Sequence, residues 1–557
     1  MSNSQKSLLC NLLCRRGPDA FGTREIDIQG FKICATSSVL CIRGDQPTYQ
    51  PLFEEKTQRL LQWNGEIYEC SLLLGAVQES NLNDGKVLFD YLNESEENFE
   101  YLLLRCLSTI NGEFCFSLFD GDKNWYVGRD FFGRRSLCWN LSVNVRNELQ
   151  NLMDQNTKTG WLDAGTIDHL SVASLSPNSP HWSEMPACGL FKITFENSII
   201  RLQLMKWQFD AKIENSLIFH KPFLCSPLTN QWNACIENVS AKEHFDQAVS
   251  QFLDTLRKAV RLRTQIHNHQ CAECLNKQTK CLHATVAILF SGGIDCTLLA
   301  LLSDEFVDLS LPIPLLNVSF DSNSPDRQTG LASFEELKNL RPNRQWQFFP
   351  IDVSLNQLSQ VRSEHIRKLL FPSNTVLDDS IGCALWFAAS GAASAASIKA
   401  IKCETISEQN YCIGARVLLL GMGADEQLGG YSRHRSAFFQ GGWNRLQEEL
   451  IYDVERISAR NLGRDDRVIS DHGLEARFPY LDEKVVSLLN SLSIQIKCNP
   501  TLGQGVGDKR LLRAAAFKLG LEKCSAFHKR AIQFGSRIAK LENRKEKASD
   551  SCDRLFE

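Results

Sequence analysis

An apolar run that ends in two glycines, near the middle of this chain, leaves few choices for its fold. Residues 286–290 are continuously apolar, Ser291-Gly292-Gly293 follows, and residues 296–302 have the pattern of a buried helix. A strand, a glycine turn and a helix in this order predict a βα unit of a parallel sheet. The apolar run 417–420 passes similarly into the turn 421–426. Because parallel strands end at one edge of a sheet, we expect the two turns to lie side by side.

The first turn has the features of a phosphate-binding loop. Without side chains, Gly292 and Gly293 let backbone N–H groups converge on phosphate oxygens, and the next helix points its positive end at the same anion. Asp295 would repel phosphates unless a divalent cation lay between them, so we predict that it binds Mg²⁺ together with Asp425. The sequence thus predicts ATP cleavage between the α- and β-phosphates, although a lone Ser-Gly-Gly is also a common tight turn.

The periodicity of the sequence divides the chain into two domains. Residues 20–200 alternate short strands with turns, interrupted by helical stretches at 86–92 and 99–110, whereas an amphipathic helix at 245–263 introduces a helical period. We predict a first domain at 1–207, a linker at 208–240, a second domain at 241–540 and a charged tail at 541–557. The tail is interpreted as a solvated helix or a disordered end.

Composition argues against several classes of protein. Hydrophobic residues make up 43% and charged residues 23%, which is a globular balance, and a net charge of −4 provides no field that attracts nucleic acid. Serines and a lysine interrupt the apolar run 383–401, which we interpret as a buried helix rather than a membrane span. With 21 cysteines and no export signal, we expect a reducing, cytoplasmic compartment.

Eight motifs, spread over nearly the whole chain, carry a resemblance to a known family. They are residues 16–19 (Arg-Gly-Pro-Asp), 63–68 (Trp-Asn-Gly-Glu-Ile-Tyr), 128–135 (Gly-Arg-Asp-Phe-Phe-Gly-Arg-Arg), 290–295 (Phe-Ser-Gly-Gly-Ile-Asp), 377–382 (Leu-Asp-Asp-Ser-Ile-Gly), 421–431 (Gly-Met-Gly-Ala-Asp-Glu-Gln-Leu-Gly-Gly-Tyr), 472–482 (His-Gly-Leu-Glu-Ala-Arg-Phe-Pro-Tyr-Leu-Asp) and 530–536 (Arg-Ala-Ile-Gln-Phe-Gly-Ser). In this order they resemble the asparagine synthetase family.

The resemblance implies two domains and one overall reaction. The first domain would be an α+β N-terminal-nucleophile domain of the class II glutamine amidotransferase type, truncated at its start. The second would be an α/β ATP-pyrophosphatase domain, adenine nucleotide alpha hydrolase-like, with a parallel sheet. The family converts aspartate, ATP and glutamine or ammonia to asparagine, AMP and pyrophosphate through an acyl-adenylate. Expected ligands are ATP, Mg²⁺, an aspartate-like carboxylate and glutamine or ammonia, without nucleic acid or membrane partners; the oligomeric state, a homodimer included, stays open.

Site residues follow from the motifs and from this resemblance. The predicted catalytic residues are Asp295, Asp425, Lys529 and Arg530, with Lys509 as a further basic group for the departing pyrophosphate. The predicted nucleotide-binding residues are Leu289, Phe290, Ser291, Gly292, Gly293, Asp295, Cys296, Val318, Leu420 and Gly421. The predicted magnesium ligands are Asp295 and Asp425, and the predicted remnant of a glutamine site is Asn64, Gly65, Glu66 and Asp84.

Five positions depart from the family pattern. Ser2 stands where the family has its nucleophilic cysteine, and the arginine that clamps the glutamine carboxylate falls on Val39. In the second domain, Cys296 replaces a serine, Met422 replaces a glutamate, and Asp378 replaces the arginine of the aspartate-recognising helix. These departures favour an alternative, a catalytically impaired member that binds nucleotide or another protein. A third alternative, an enzyme acting on tRNA, is disfavoured because the chain lacks a basic stripe.

A polar insertion after the predicted helix 245–263 carries six potential metal ligands. They are His267, His269, Cys271, Cys274, Cys281 and His283. Cys-x-x-Cys with a further cysteine and histidine is typical of tetrahedral zinc sites, but Cys281 and His283 lie closer in sequence than zinc ligands usually do. The sequence leaves zinc binding open, and we interpret the segment as a loop whose thiols bind no metal.

Overall fold

The computed structural model groups this chain into two compact units. It describes residues 3–28, 30–44, 46–73, 83–154, 159–163, 170–177, 181–196, 199–207, 239–267, 274, 281–393, 400–401, 406–407, 413–541 and 547–555. The first unit comprises Met1–Lys221, Arg367–Asn374 and Ile457–Gly473, and the second comprises Pro222–Ile366, Thr375–Arg456 and Leu474–Glu557. Two short segments from the later part of the chain thus belong to the first unit. The predicted domain boundaries remain a prediction.

The first unit is built on antiparallel strands. Its strands are β1 (Ala20–Ile28), β2 (Phe31–Val39), β3 (Leu52–Glu54), β4 (Arg59–Cys70), β5 (Ile110–Phe119), β6 (Asn124–Arg129), β7 (Cys138–Trp139), β8 (Thr159–Asp163), β9 (Val172–Ala173), β10 (Ser183–Glu184), β11 (Gly189–Glu196) and β12 (Ile199–Lys206). Its described helices are Asn3–Arg16, Asp84–Glu94, Phe99–Thr109, Val143–Asp154, Arg367–Leu370 and Gly463–Ser470, with a π-helical turn at Ser458–Leu462.

Seven of these strands form one sheet, in the order β3-β4-β5-β6-β11-β12-β8. Successive side chains of each strand lie on opposite faces of this sheet. One core contains Phe114 and Phe116 together with leucines of the helices Asp84–Glu94 and Phe99–Thr109, and another contains Cys115. The helices predicted at 86–92 and 99–110 are therefore confirmed, and each packs through its apolar stripe.

Buried ion pairs and hydrogen bonds of arginines hold the two late segments within the first unit. Arg16 Nη2 lies 2.8 Å from Asp466 Oδ2, and both side chains are buried. Arg467 is fully buried, and it donates to Glu184 Oε2 at 3.1 Å and to the carbonyl oxygen of Leu369 at 2.9 Å. Such pairs compensate the desolvation of each charge only while both partners are present, so they hold these segments in one arrangement.

The second unit is an α/β structure. Its strands are β13 (Val286–Leu289), β14 (Ile313–Ser319), β15 (Trp346–Asp352), β16 (Ala400–Ile401), β17 (Ile406–Ser407), β18 (Val417–Leu419) and β19 (Glu475–Arg477). Its described α-helices are Val239–Gln265, Ile294–Ser303, Pro325–Leu340, Leu355–Val361, Val376–Ala393, Ala424–Leu428, Ser432–Glu455, Glu483–Ser491, Ile494–Lys497, Arg510–Lys518, Glu522–Ser525 and Ile532–Gly535. A π-helical turn covers Arg362–Ile366, and 3₁₀ turns cover Pro479–Leu481, Ile538–Lys540 and Asp553–Leu555.

The sheet of the second unit has the order β17-β16-β15-β14-β13-β18-β19. Five neighbouring strands of this sheet run parallel to one another, namely β15, β14, β13, β18 and β19. β14 is buried at every residue, as expected of a parallel strand covered on both faces. Because β13 pairs directly with β18, the two glycine-containing turns follow neighbouring strands. This confirms the arrangement predicted from the two apolar runs.

Two predictions about apolar and charged segments have different outcomes. Part of the run 383–401 lies in helix Val376–Ala393, whereas residues 394–399 lie outside the described residues. Among the described residues, we find no helix with the length and hydropathy needed to cross a bilayer. The interpretation of the tail is wrong for residues 547–555, because Cys552 and Leu555 are buried and the backbone N–H of Leu377 donates to the carbonyl of Ala548.

Candidate active site

The turn after β13 is held in place by the helix Pro325–Leu340. Gly292 has a φ of +76°, and a Cβ there would lie 2.3 Å from the backbone nitrogen of Gly330. The Thr329 hydroxyl donates to the carbonyl of Ser291 at 2.8 Å, and the Ser333 hydroxyl donates to that of Gly292 at 2.7 Å. Glycine is therefore required at position 292 both for its backbone conformation and for the close approach of the helix.

Asp295 and Asp425 come together around one lysine side chain. Asp295 lies in the first turn of helix Ile294–Ser303, and Asp425 lies in the first turn of helix Ala424–Leu428. The Lys509 amine donates to both oxygens of Asp295, at 2.7 and 2.6 Å, and lies 2.6 Å from Oδ1 of Asp425. The Lys509 side chain is 1% exposed. The two strand-end carboxylates therefore share one buried cation and do not point into separate clefts.

Lys509 has a backbone conformation that is uncommon for a residue with a side chain. Its φ is +51°, in the left-handed region, and its N–H donates to the carbonyl of Leu428 at 3.1 Å. A Cβ on Gly430 would lie 2.4 Å from Lys509 Cε and 1.9 Å from Asp425 Oδ1. The glycine thus leaves the space through which the lysine reaches the carboxylates. Backbone strain of this kind is concentrated at functional sites.

A second lysine completes the charge balance of the pair. Lys529 Nζ lies 2.5 Å from Oδ2 of Asp425. Burial opposes ionisation of Asp425, but the neighbouring ammonium groups of Lys509 and Lys529 outweigh it and hold the pKa of Asp425 below its ordinary value. Burial also opposes the charge of Lys529, but Asp425 and Asp295 outweigh it and raise the pKa of Lys529. Asp425 and Lys529 thus stabilise each other's charged form.

Asp295, Lys509 and Lys529 line a cavity of about 50 Å³ in the second unit. Six of the residues predicted from the sequence line this cavity, namely Ser291, Gly293, Asp295, Lys509, Lys529 and Arg530. Asp326 also lines it, although the sequence did not predict this residue. The predicted residues Leu420 and Phe290 are buried, as is Val318 on β14. Backbone groups, carboxylates and basic side chains therefore meet in one place, as the binding of a magnesium-complexed anion requires. Their individual roles remain predictions.

Sequence reasoning missed Asp326, a buried carboxyl group in the cavity wall. It lies in the first turn of helix Pro325–Leu340 and is 6% exposed. Burial raises its pKa to about 7, although the positive charges of Lys529 and Arg530 act in the opposite direction. The sequence carried a usable signal, because Ser324-Pro325-Asp326 follows β14 as Asp295 follows β13. Helix-capping residues just after a parallel strand mark the same edge of the sheet.

Replacing Asp326 with asparagine should stabilise the protein at pH 8 and leave its stability unchanged below pH 4. The folded protein holds a proton on Asp326 up to a pH of about 7, whereas the unfolded chain loses it near 3.8. The stability of the natural protein therefore falls as pH rises through this window. By pH 8 we expect an advantage for Asp326→Asn on the order of 2–4 kcal/mol, measured by urea unfolding. If the free energy of unfolding changed with pH in the same way for both proteins, this prediction would be contradicted. Asp254→Asn, which changes an exposed carboxylate, is the control.

The predicted glutamine-site residues lie together in the first unit. Asn64, Gly65 and Glu66 are on β4, and Asp84 begins the helix Asp84–Glu94. The backbone N–H that follows Glu66 donates to Asp84 Oδ2 at 2.7 Å. A Cβ on Gly65 would lie 2.2 Å from a backbone oxygen of β5, so this position admits no side chain.

Sequence reasoning also missed an arginine inside this cluster. Arg43 is 8% exposed, and its Nε donates to Oε2 of the buried Glu66 at 2.6 Å. Its Nη2 donates to the carbonyl of Ile67, the residue whose N–H donates to Asp84. A guanidinium of the protein thus lies among the residues predicted as the remnant of a glutamine site. No pattern in the sequence pairs Arg43 with Glu66, because they meet only through the fold.

The departures from the family pattern have local structural consequences. Asp378 accepts hydrogen bonds from the backbone N–H and hydroxyl of Thr375, at 3.2 and 2.6 Å, at the start of helix Val376–Ala393. Burial raises the pKa of the Cys296 thiol, and this group donates to the carbonyl of Gly293 at 3.2 Å. Val39 ends β2 and is buried. Asp378 therefore caps a helix where the family has a residue that recognises substrate.

Comparisons with known proteins agree with this architecture. A family model for the glutamine amidotransferase domain matches residues 2–184, and one for asparagine synthase matches residues 436–539. The protein thus combines an N-terminal-nucleophile domain of the class II glutamine amidotransferase type with an α/β ATP-pyrophosphatase domain.

Similar proteins are known from several organisms. Asparagine synthetase domain-containing protein 1 of Homo sapiens is 36% identical, over 99% of this chain and 95% of that protein. The protein of the same name from Gallus gallus is 35% identical, over 99% and 96%. The glutamine-hydrolysing asparagine synthetase B of Escherichia coli (strain K12) is 21% identical, over 91% of this chain and 74% of that enzyme. The chain belongs to the asparagine synthetase family.

Proposed function

We propose that this protein is an ATP-dependent, amide-forming ligase that activates a carboxylate as an acyl-adenylate and uses ammonia as the nitrogen donor. The nominal reaction converts aspartate, ATP and ammonia to asparagine, AMP and pyrophosphate. The observation that carries the proposal is the Lys509 bridge between Asp295 and Asp425, at the carboxyl ends of two adjacent parallel strands. Ligands of open parallel sheets bind at this edge.

The donor set fits the predicted magnesium ion. Carboxylate oxygens are the ligands that Mg²⁺ prefers, and Asp295 and Asp425 already converge on one cation, the Lys509 ammonium. Asp295 and Asp425 would hold the ion, which would neutralise phosphate charge. Lys509 would then be displaced towards the phosphates.

The chain's own groups account for the two chemical steps. In the first, a carboxylate oxygen of the acceptor attacks the α-phosphorus of ATP, and pyrophosphate leaves. The backbone N–H groups at Gly293 and in the first turn of helix Ile294–Ser303 would bind that anion, while Lys509, Lys529 and Arg530 neutralise its growing charge. In the second step, ammonia attacks the acyl carbon and AMP departs. The proton that ammonia loses passes to the departing phosphate of AMP or to water, because Met422 cannot accept it.

The test is a product assay with purified protein, ATP, Mg²⁺, ammonium and aspartate. We expect asparagine and pyrophosphate in equal amounts, detected by mass spectrometry and a coupled pyrophosphate assay. Asp295→Asn and Asp425→Asn should each lower the rate at least about 100-fold, since groups that stabilise charge in a transition state contribute on this scale. Asp254→Asn, which changes an exposed carboxylate, is the matched control. Unchanged rate and ATP affinity in both active-site variants would refute the proposal.

The second candidate is a nucleotide-binding member that does not complete the reaction. Asp378 favours it, because this residue caps a helix where the family places an arginine that recognises aspartate. A negative residue cannot hold the carboxylate of aspartate. If calorimetry detects binding of ATP with Mg²⁺, but no AMP is formed in the presence of ammonium and any small dicarboxylate, the result would support this candidate over the ligase.

A further inference from the structure

Three potential metal ligands converge before the central strand of the second unit. The Sγ atoms of Cys274 and Cys281 and one ring nitrogen of His283 all lie within 4.8 Å of one another. His283 Nδ1 is 3.4 Å from Cys274 Sγ and 3.7 Å from Cys281 Sγ. Cys274 is 7% exposed, and the other two side chains are partly buried. The interpretation of this segment as a loop whose thiols bind no metal does not account for this convergence of ligand atoms.

The two sulfur–nitrogen distances in the cluster are those expected between donors around a tetrahedral zinc ion. Zinc–sulfur bonds of about 2.3 Å and zinc–nitrogen bonds of about 2.0–2.1 Å, at tetrahedral angles, place sulfur and nitrogen about 3.6 Å apart. The two measured distances, 3.4 and 3.7 Å, fall on either side of this value. Two thiolates and an imidazole are a donor set that favours zinc over the hard cations magnesium and calcium.

The position of the cluster separates it from the nucleotide site. His283 lies three residues before β13, whereas Ser291 lies two residues after it. The four residues of β13 span roughly 13 Å at a rise of about 3.3 Å per residue. The N–H of Ala284, next to His283, donates to the carbonyl of Ile413 at 3.0 Å, which anchors this end of the strand. The cluster is therefore placed to fix the chain entering the sheet and not to contact ATP.

We propose that Cys274, Cys281 and His283 bind one Zn²⁺ as a structural site. The metal would close the segment between helix Val239–Gln265 and β13, and so hold the strand that carries the phosphate-binding turn. Three protein ligands leave one tetrahedral position for a further donor. His269 and Cys271 lie outside the described residues, and the proposal does not depend on them.

Metal analysis of the full-length protein tests the proposal. The protein is purified under reducing conditions without chelator, supplied with zinc, desalted and measured by plasma mass spectrometry. We expect one zinc per chain. Cys274→Ser, Cys281→Ser and His283→Gln should each weaken binding at least about 10-fold, as loss of ligands or their supporting groups does. Cys188→Ser, which removes a partly buried cysteine of the first unit, should retain full zinc content.

A second measurement uses the natural protein, so it does not depend on whether the variants fold. Co²⁺ in place of zinc should give the visible absorption of a tetrahedral ion and a sulfur charge-transfer band in the near ultraviolet, and added zinc should remove both. Asp295→Asn should retain its zinc, so failure at the nucleotide site is distinguishable from failure here. Less than a tenth of an equivalent of zinc in the natural protein, or a Cys274–Cys281 disulfide in peptide mapping, would overturn the proposal.

Discussion

Replacing Lys509 with methionine should lower the free energy of unfolding by about 3–5 kcal/mol and abolish amide synthesis. The variant keeps the length of the side chain but leaves Asp295 without its ion pair and Asp425 with only Lys529. Charges taken out of water without a counterion account for the largest effects of single substitutions. Urea unfolding followed by circular dichroism measures the loss of stability, and the pyrophosphate assay measures the loss of activity.

Two further variants distinguish charge from side-chain volume in this result. Lys338→Met removes the lysine of a more exposed ion pair with Glu335, and should cost no more than about 1 kcal/mol. Adding Asp295→Asn alone to Lys509→Met removes the excess negative charge and leaves Asp425 paired with Lys529, so most of the lost stability should return while activity stays absent. A Lys509→Met variant as stable as Lys338→Met would contradict the charge balance described for the cavity.

The sequence predicted the arrangement of the second unit because its signals are local. Continuous apolar runs before glycine turns define β13 and β18, and the rule that ligands collect at the ends of parallel strands placed Asp295 beside Asp425. Neither step requires knowledge of long-range packing. The helices at 86–92 and 99–110 were predictable for the same reason, since their apolar spacing is visible within a few turns.

What the sequence did not predict depends on contacts between distant segments. Asp326 acquires its raised pKa only from burial, and Lys509 reaches Asp295 only because Gly430 leaves room for it. Periodicity defines an element but not its partner, so the membership of residues 463–470 in the first unit was not foreseen. The charged tail was misinterpreted because Cys552 and Leu555 are too few to form a periodic apolar pattern, although both are buried.

Replacing Arg43 with methionine should lower the free energy of unfolding by about 3–5 kcal/mol, and the natural protein should release no ammonia from glutamine. Arg43 and Glu66 are 6% and 3% exposed at their side chains, so removal of the cation takes from a buried carboxylate the charged partner that it has in this pair. The same guanidinium lies among the residues predicted as the remnant of a glutamine site, and Val39 supplies no clamp for the carboxylate of glutamine. Glutamine would therefore have to displace an internal ion pair, and its own carboxylate would gain no clamp.

Two further variants distinguish the contribution of the Arg43–Glu66 ion pair to stability from that of side-chain packing. Arg201→Met changes an exposed arginine beside Glu196 and should cost less than about 1 kcal/mol. The double variant Arg43→Met/Glu66→Gln should regain most of the stability lost in Arg43→Met, because the buried charge is then removed on both sides. Glutaminase assays on the natural protein should match the blank, with ammonium supporting any amide synthesis. Ammonia release from glutamine by the natural protein, or strictly additive effects of the two substitutions, would mean that Arg43 does not fill this site.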